Sequence, residues 1–338
     1  MPSNTAYTRS WFDRINYIFQ EKLDEFLDND PIVQMFTDRS GDGQGGDTMN
    51  LTGRANDGFA PLKVEGQKTP ESIAVEEDQT SKKFLTISDR QKFTWESFLF
   101  DKNGYIKDTS AEMAKKCLNT FHLVLTHQLH NFATATSVTM NGISYDLRTP
   151  DAVALISASH TTPSGLTGLT NIGGTGALSE ENLTANILVG QENMSTSAGT
   201  SIPYNPDMII VPNVAPLVKK AMQITGSDQV EGTANNAINI YGGGSMKVMV
   251  LNFAPLLAGG GRDTTTAKWA WSTADSSMLK KCLHFKWASR PISYPRFMDQ
   301  ENGDSSFLVL ASVAVGASRW QGIVRNNATS APTDSGAV

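Results

Sequence analysis

Two histidines have the spacing that a metal-binding helix would need. The chain contains five histidines, and His127 and His130 lie three residues apart, so both fall on one face of a helix. Neutral imidazole is a common zinc ligand, but a zincin helix has the pattern His-Glu-x-x-His, whereas Gln128 and Leu129 separate this pair. The pattern therefore predicts a structural role for both histidines and no metal site.

The next candidates for a functional site are glycine-rich turns, which could bind a cofactor, and serine or cysteine residues, which could act as nucleophiles. Residues 173–176, Gly-Gly-Thr-Gly, resemble the start of a dinucleotide-binding loop, but the third glycine is missing and no clear strand precedes them. Ser245 follows three glycines, yet Lys247 stands where a nucleophile elbow needs glycine. Cys117 lies in an apolar stripe, which predicts a small buried hydrophobe. These observations predict no catalytic residue, no cofactor and no enzymatic activity.

The segment 38–47 alternates aspartate and glycine in a way that resembles a calcium-binding loop. An EF-hand needs acidic residues at its first, third and fifth positions and glutamate at its twelfth, and this segment lacks that spacing. Glycine at this density is typical of a flexible linker. The sequence therefore predicts a linker here and no metal.

Composition and charge exclude several classes of protein. Charged residues make up 18% of the 338 residues, against about 25% in a typical globular domain. Residues 1–100 hold 17 acidic and 11 basic side chains, so they carry the whole net charge of −6. No basic patch of the kind that binds nucleic acid is present in the sequence. No run of about 18 apolar residues exists that would span a membrane.

The cysteines and the N-terminal sequence indicate in which cellular compartment the protein is expected to fold. The two cysteines, Cys117 and Cys282, lie too far apart to suggest a disulfide framework, which favours a reducing compartment. The N-terminal residues lack the uninterrupted apolar region of a signal peptide. Both features predict an intracellular protein.

The N-terminal segment 9–29 has the strongest helical periodicity in the chain. Its large apolar residues recur at steps of three and four and form one stripe: Trp11, Phe12, Ile15, Ile18, Phe19, Leu23, Phe26 and Leu27. Two interpretations fit this stripe, namely an ordinary helix packed on its own domain or an arm that docks onto a neighbouring subunit. The predicted linker that follows favours the arm, because it is poorly suited to hold the helix close.

Residues 59–100 predict a long two-stranded hairpin. Apolar and polar residues alternate near its ends, and its polar middle contains Pro70 and a mixture of charges. An isolated two-stranded hairpin is marginal in water. Something outside the hairpin is therefore expected to hold it.

Residues 108–136 predict a long helix. Thr109 and Glu112 fit a capping box at its start. Apolar residues then follow one face: Met113, Cys117, Phe121, Val124, Leu125, Leu129 and Phe132. A helix of this length spans about 40 Å, which is typical of a structural strut.

The rest of the chain alternates shorter elements without a repeat, so the predicted fold class is α+β. The sequence predicts helices over 179–194 and around 214–222, and strands over 207–211, 247–251, 268–271, 283–287 and 306–315. The strand over 247–251 is expected to leave a hairpin that turns at 242–244.

In this order and spacing of elements, the chain resembles the major capsid proteins of tailed bacteriophages, which have the Hong Kong 97-type fold. The resemblance covers essentially the whole chain. The resemblance depends on several short stretches taken together, each of which is similar in sequence to members of the family. They are residues 161–168, 178–183, 206–212, 239–250 and 319–325.

The resemblance implies a division of the chain into domains. It makes residues 1–55 an N-terminal arm, 56–98 an extended loop and 166–292 an axial domain. It makes residues 99–165 and 293–327 a peripheral domain that carries a spine helix at 108–136, and 328–338 a flexible tail.

The resemblance also implies function and partners. The chain is expected to assemble with itself into hexamers and pentamers of an icosahedral virion shell, which encloses double-stranded DNA without sequence-specific binding. A separate scaffolding protein, a portal and a decoration or cement protein are implied partners. Assembly is expected in the host bacterial cytoplasm, without a membrane.

Contacts between subunits are expected from the arm and the extended loop. In the arm the contact residues are Trp11, Phe12, Ile15, Ile18, Phe19, Leu23 and Phe26, and in the loop they are Pro70, Glu76, Lys82 and Lys83.

Two other functions remain open at the level of sequence. One is an encapsulin-like nanocompartment, a shell of the same fold that encloses protein cargo. The other is a surface protein that binds metal or carbohydrate, suggested by the segment 38–47, by N-x-[ST] sequons and by the tryptophans; the lack of a secretion signal weighs against it.

Overall fold

A computed structural model describes residues 29–42, 46–54, 76–94, 105–196, 198–227, 239–298 and 305–332, together with residues 17, 20, 21, 23–25 and 27. The described residues between 17 and 29 are helical, and a short helix α1 (Pro31–Gln34) follows. Asp30 caps α1, because its carboxylate accepts a hydrogen bond from Ile32 N at 2.9 Å.

A four-stranded sheet forms the first half of the fold. Its strands run in the order β1 (Thr37–Asp38), β11 (Leu283–Met298), β12 (Ser305–Ala317) and β4 (Leu85–Phe93). The chain reaches β4 from a separate antiparallel pair, β2 (Thr48–Arg54) and β3 (Glu76–Lys83).

This pairing corrects the predicted hairpin over 59–100. The described hairpin starts earlier, at Thr48, and its second strand ends at Lys83, because β4 leaves it to pair with β12. The predicted ends at 59–66 and 95–100 lie outside the described residues.

The long helix α2 (Tyr105–Thr126) packs on this sheet and continues into a π-helical turn, His127–Asn131. Phe121 of α2 contacts Phe285 and Trp287 of β11, with ring centroids 5.4 and 4.6 Å apart. The predicted helix is confirmed, but its capping box is wrong. The helix is already formed at Tyr105, so Thr109 lies one turn inside it.

A five-stranded sheet forms the second half, in the order β7 (Ile172–Gly174), β13 (Ile323–Asn326), β10 (Trp271–Ala274), β8 (Met208–Pro212) and β9 (Lys247–Leu251). Ile209, Ile210 and Val211 of β8 are 0% exposed. Such a continuous apolar run is typical of a strand that is covered on both faces.

Helices α3 (Glu180–Asn193) and α4 (Ala215–Gly226) pack against this sheet. Both were predicted, and Ser179 caps α3 by accepting a hydrogen bond from Asn182 N at 3.2 Å. A Cβ on Gly190 of α3 would lie 2.3 Å from the Tyr204 ring, so glycine lets the helix approach that buried tyrosine.

The remaining elements are the hairpin β5 (Ser137–Met140) and β6 (Ile143–Asp146), a 3₁₀ helix (Thr266–Trp269) and helix α5 (Ser276–Cys282). The strand predicted over 268–271 is wrong at 268–269, where the 3₁₀ helix ends, and the strand β10 begins only at Trp271. Of the predicted hairpin before β9, the turn and the outgoing strand are confirmed, while most of the incoming strand lies outside the described residues. β9 pairs in parallel with β8, and residues 240–244 form turns.

Candidate functional site on the outer face of the four-stranded sheet

The four-stranded sheet has two faces with different environments. Side chains alternate across a strand, and the odd-numbered residues of β12 from Phe307 to Val315 belong to the same core cluster as α2. The even-numbered residues of β12 therefore lie on the opposite side, which we call the outer face.

One end of the outer face is covered by the β2–β3 hairpin. Met49 and Leu51 of β2 pack with Ala314 in a small separate cluster, where Leu51 is 0% exposed. A Cβ on Gly316 would come within 2.8 Å of Lys82 Cγ and 2.9 Å of Leu51 Cδ1. Small residues on β12 thus allow the hairpin to lie directly on the sheet, and we call this region the covered end.

Lys82 of β3 attaches the hairpin to the segment after β6. Its side chain is 2% exposed, and Nζ donates to Arg148 O at 2.5 Å and lies 3.3 Å from Asp146 Oδ2. Burial lowers the pKa of Lys82, while the charge of Asp146 and its hydrogen bond act in the opposite direction. Because an unpaired buried cation is costly, these oxygens are what make lysine tolerable here.

Asp146 is held in turn by Arg148. The side-chain Nε and the backbone N of Arg148 donate to Asp146 Oδ1 at 2.9 and 3.0 Å. Burial would raise the pKa of Asp146, but the hydrogen bonds from Arg148 and the charge of Lys82 together bring it below its usual value. We call Lys82, Asp146 and Arg148 the Lys82 clip.

The covered end also binds the segment that follows α1. Arg39 N donates to Phe285 O at 2.9 Å, and Lys286 Nζ donates to Asp42 O at 2.7 Å. The prediction of a flexible linker is therefore wrong for residues 37–42. Their order comes from hydrogen bonds to β11, which the local sequence does not reveal.

His284 lies in the same row as Gly316, its direct partner across the β11–β12 pair. Its Nε2 lies 2.9 Å from Ser318 Oγ. Burial lowers the pKa of His284 to about 4, helped by the charge of Arg39 and opposed by Asp42. The imidazole is therefore neutral at neutral pH.

The other end of the outer face is uncovered. Ile292 and Tyr294 of β11 are 39% and 46% exposed, and they pair with Leu310 and Leu308 of β12, which are half-buried. Four large apolar side chains therefore lie together at the surface, and we call this group the uncovered end. The sequence prediction missed it, because only 283–287 was recognised as a strand, although the alternation of Ile292, Ser293 and Tyr294 carries the signal.

The described part of the N-terminal helix packs on its own chain. Leu23 is 1% exposed, Leu27 contacts the main core, and Gln20 Nε2 donates to Pro291 O at 3.1 Å. Of the apolar stripe, Leu23 and Leu27 thus follow the first interpretation, that of a helix packed on its own domain. Trp11, Phe12, Ile15, Ile18, Phe19 and the side chain of Phe26 lie outside the described residues.

The structure locates the predicted contact residues of the extended loop as follows. Lys82 is enclosed by its own chain, in the clip, whereas the neighbouring Lys83 is exposed. Glu76 lies opposite Arg54 in the hairpin register, and Pro70 lies outside the described residues. A contact with a neighbouring subunit stays a prediction for these residues.

The histidines and the cysteine that the sequence offered as candidates for chemistry lie in the protein core. His127 and His130 are buried, and burial lowers the pKa of His127 to about 4. Burial also raises the pKa of the Cys117 thiol to about 12, with Asp89 adding to the effect. Among the described residues, no cluster of metal-ligating side chains forms and no helix is long and apolar enough to cross a membrane.

The glycine turn at 173–176 serves packing. A Cβ on Gly173 would overlap Asn186 Oδ1, and one on Gly176 would lie 2.4 Å from Asn182 Nδ2. Asn186 Nδ2 donates to Thr273 Oγ1 at 2.9 Å and to Val324 O at 3.1 Å. These glycines therefore let α3 and its asparagines approach the five-stranded sheet.

His160 and Asp151 form a buried pair that resembles part of a catalytic dyad, as do His122 and Asp30, whose Nδ1 and Oδ2 lie 2.8 Å apart. His160 Nδ1 lies 2.7 Å from Asp151 Oδ2, and the imidazole stacks on Trp320 with centroids 4.4 Å apart. The Thr149 hydroxyl donates to Asp151 rather than facing the imidazole. The pair therefore lacks the arrangement in which histidine activates a hydroxyl, and it fastens a loop to the core.

The geometry defines a class of fold: an α+β protein with a long helix across a four-stranded sheet, a second sheet, and a hairpin that extends from the first. Known structures share it. A chain of the mature capsid of bacteriophage PhiM1 is 12% identical with a TM-score of 0.52, covering 90% of this chain and 88% of that one. A chain of Mycobacterium phage Patience is 11% identical with a TM-score of 0.51, covering 99% and 93%.

A chain from the capsid of an empty GTA particle is 10% identical, with a TM-score of 0.51, and the likeness covers 88% of this chain and 89% of that one. No protein-family model matches the chain, and no curated protein matches it. The structural likenesses show that the chain has the Hong Kong 97-type fold of phage capsid proteins. They confirm the fold class that the sequence predicted.

Proposed function

We propose that this chain is a shell subunit, the major capsid protein of a tailed phage, and that its function is to assemble rather than to catalyse. The observation that carries the proposal is the capsid fold, which extends over 90% of this chain in the comparison with PhiM1.

The uncovered end supports assembly with further copies. Ile292 and Tyr294 present large apolar surface on a sheet whose other end the chain covers by itself. Contiguous exposed apolar surface is typical of a protein interface. In a shell built from one kind of subunit, the partner for this surface is a second copy of the chain.

The N-terminal arm and the extended loop are proposed to supply further contacts. In this proposal Trp11, Phe12, Ile15, Ile18 and Phe19 contact a neighbour, while Leu23 and Leu27 anchor the helix on its own chain. Lys83, on the exposed side of β3, is proposed as a loop contact. The domain division given by the resemblance, with its arm, loop, peripheral and axial parts, remains part of the proposal.

Two deletions test the arm. Removal of residues 1–19 is expected to leave a folded subunit, because Leu23 and Leu27 still pack on the core. This subunit is expected to form no closed shells, because the proposed contact residues are gone. Removal of residues 1–29 is expected to lower the melting temperature as well. Normal particles from the shorter deletion would contradict the proposed contacts.

The shell is proposed to enclose double-stranded DNA in a virion assembled in the host cytoplasm, with scaffolding, portal and decoration proteins as partners. The net charge of −6 and the lack of a basic patch in the sequence favour a surface on which packaged DNA slides. Isolated subunits are expected to bind DNA weakly. Tight binding that falls steeply with salt would contradict this part.

Electron microscopy of the expressed chain, alone and with candidate scaffolding protein, tests the function. Closed icosahedral particles are expected, and mass spectrometry and nuclease protection then identify their content. Protein cargo in place of DNA would indicate a nanocompartment. A chain that stays monomeric under all of these conditions would overturn the proposal.

A further inference from the structure

A polar cavity of about 660 Å³ lies where α2 ends, between the loop at 152–158 and the strand β13. Hydroxyl and amide side chains dominate its polar lining, and they include Asn131, Thr134, Thr136, Ser157 and Asn327. Ala158 and Ala267 also line it and are exposed, so the cavity opens to the surface.

Arg325 is the only charged side chain among the described residues that line the cavity. It is 4% exposed and lies on β13, an interior strand of the second sheet, where its backbone pairs with Ser272 and Ile172. Its Nε donates to Asn327 Oδ1 at 2.9 Å, and its Nη1 donates to His130 O. A guanidinium has five N–H donors, so donors remain for a ligand in the cavity.

The charge of Arg325 is not balanced within the described part of the chain. No aspartate or glutamate among those residues forms an ion pair with it, and its two acceptors are neutral oxygens. His130 O belongs to the end of a helix, which supplies about half of an elementary negative charge. Burial lowers the pKa of Arg325 to about 10, so the group still carries its proton at neutral pH.

We propose that this cavity binds a carboxylate, whose two oxygens accept hydrogen bonds from the Arg325 guanidinium. Arginine and carboxylate match as two parallel hydrogen bonds. One negative charge balances the one cation, whereas a divalent phosphate would leave an excess charge in a cavity lined by neutral groups. The hydroxyls of Thr136 and Ser157 line the same space and offer further donors.

The carboxylate comes either from an acidic side chain of another copy of this chain or from a small free anion. The first source agrees with the charge distribution, because residues 1–100 carry the whole acidic excess. The binding chemistry is the same in both cases, and the site does not depend on the proposed shell function.

Titration of the purified chain with sodium acetate, against sodium chloride at equal ionic strength, tests the site. Saturable binding of one acetate per chain, followed by calorimetry or by the arginine Nε–H resonance, is expected. Arg325→Gln is expected to weaken it about tenfold or more, whereas Lys247→Gln removes a charge from an exposed strand end and leaves it unchanged. No preference for acetate over chloride overturns the proposal.

A second pair of variants tests the same site if Arg325→Gln does not fold. Ala158→Glu places a carboxylate on the cavity rim and is expected to weaken acetate binding about tenfold, while Ala158→Gln leaves it intact. Acetate binding that is unchanged in both variants contradicts the site. Binding that is seen only after removal of residues 333–338 would identify Asp334 of the chain itself as the occupant and would overturn an external ligand.

Assembled particles distinguish the two sources. If a neighbouring copy supplies the carboxylate, acetate binds dissociated subunits and not particles. If the ligand is a free anion, acetate binds both. If the chain forms no particles, the proposed function fails, but the titration of the isolated chain still decides whether the site exists. The two proposals can therefore fail independently.

Discussion

The covered and uncovered ends of one sheet face carry opposite kinds of residue. At the covered end, β12 presents Ala314 and Gly316, and Leu51 of the hairpin fills the space above them. At the uncovered end, the same face presents Ile292 and Tyr294, which stay 39% and 46% exposed beside the described residues. Small residues lie where the chain covers itself, and large apolar residues lie where it does not.

This difference indicates which contacts belong to the subunit and which to an assembly. The covered end is stabilised by intrachain packing and by the Lys82 clip, so changes there are expected to alter the stability of the single chain. The side chains of the uncovered end are only partly buried in the isolated fold, so changes there are expected to alter assembly more than the stability of the single chain.

Acid is expected to destabilise the covered end through His284. The pKa of His284 is about 4 in the folded chain, against about 6.5 when unfolded, so its stabilising contribution is complete above pH 6.5. That contribution is lost as pH falls towards 4, by about 3 kcal/mol. In His284→Gln, the pH dependence of the unfolding free energy over this range should be correspondingly smaller than in the wild type.

Hydrogen exchange localises the same effect. The amides of β2 and β3 are expected to exchange faster at pH 4.5 than at pH 7 after correction for the intrinsic rate, and those of β12 near Leu308 to change less. Equal acceleration at both ends would show that His284 does not act on the hairpin.

A side chain at Gly316 should displace the hairpin. Gly316→Val puts atoms into the space of Leu51 and Lys82 and is expected to lower the unfolding free energy by about 2 kcal/mol. Gly226→Val is the matched control, since nothing lies within 4 Å of its added Cβ. Chemical denaturation measures both, and an equal loss in the two variants would refute the close approach.

Substitutions of Lys82 separate its stem from its charge. Lys82→Met keeps an apolar stem over Gly316 and is expected to change the unfolding free energy by no more than about 1 kcal/mol. Lys82→Ala opens a cavity and should cost about 2 kcal/mol. The exposed Lys83→Ala is expected to have an effect below about 0.5 kcal/mol, and a comparable loss there would argue against the clip.

A smaller effect on the single chain than that of Gly316→Val is expected for each side chain at the uncovered end. The double variant Ile292→Ser, Tyr294→Ser should lower the unfolding free energy by about 1 kcal/mol per substitution, because each side chain is more than half buried, yet particle yield in electron micrographs should fall strongly. Thr86→Ser with Ser88→Thr, on the exposed outer side of β4, is a control that should assemble normally.

Local signals in the sequence predicted much of the fold. Helical periodicity located α2, and the helix predicted over 179–194 and the apolar run 207–211 located α3 and β8 to within about a residue. What failed depends on residues far apart in the chain. The ordering of 37–42 comes from β11, and the parallel pairing of β9 with β8 cannot be inferred from the glycine turn before it.

The candidate site was less accessible to sequence reasoning. Lys82 and Lys83 are adjacent and chemically alike, but the alternation of β3 buries one and exposes the other, once Gly316 provides room. Arg325 was recognised as part of a family-like stretch, yet its burial beside a cavity follows only from the position of β13 between β7 and β10.

Hydroxyl-radical labelling of Tyr294 tests the central claim most directly. Tyr294 is 46% exposed in the single chain, so dissociated subunits should be labelled readily at this ring. Assembly into particles is expected to protect Tyr294 strongly, while Met222 of α4, which is 57% exposed and lies outside the proposed contacts, serves as an internal comparison. Equal labelling of Tyr294 in subunits and in closed particles would contradict the account.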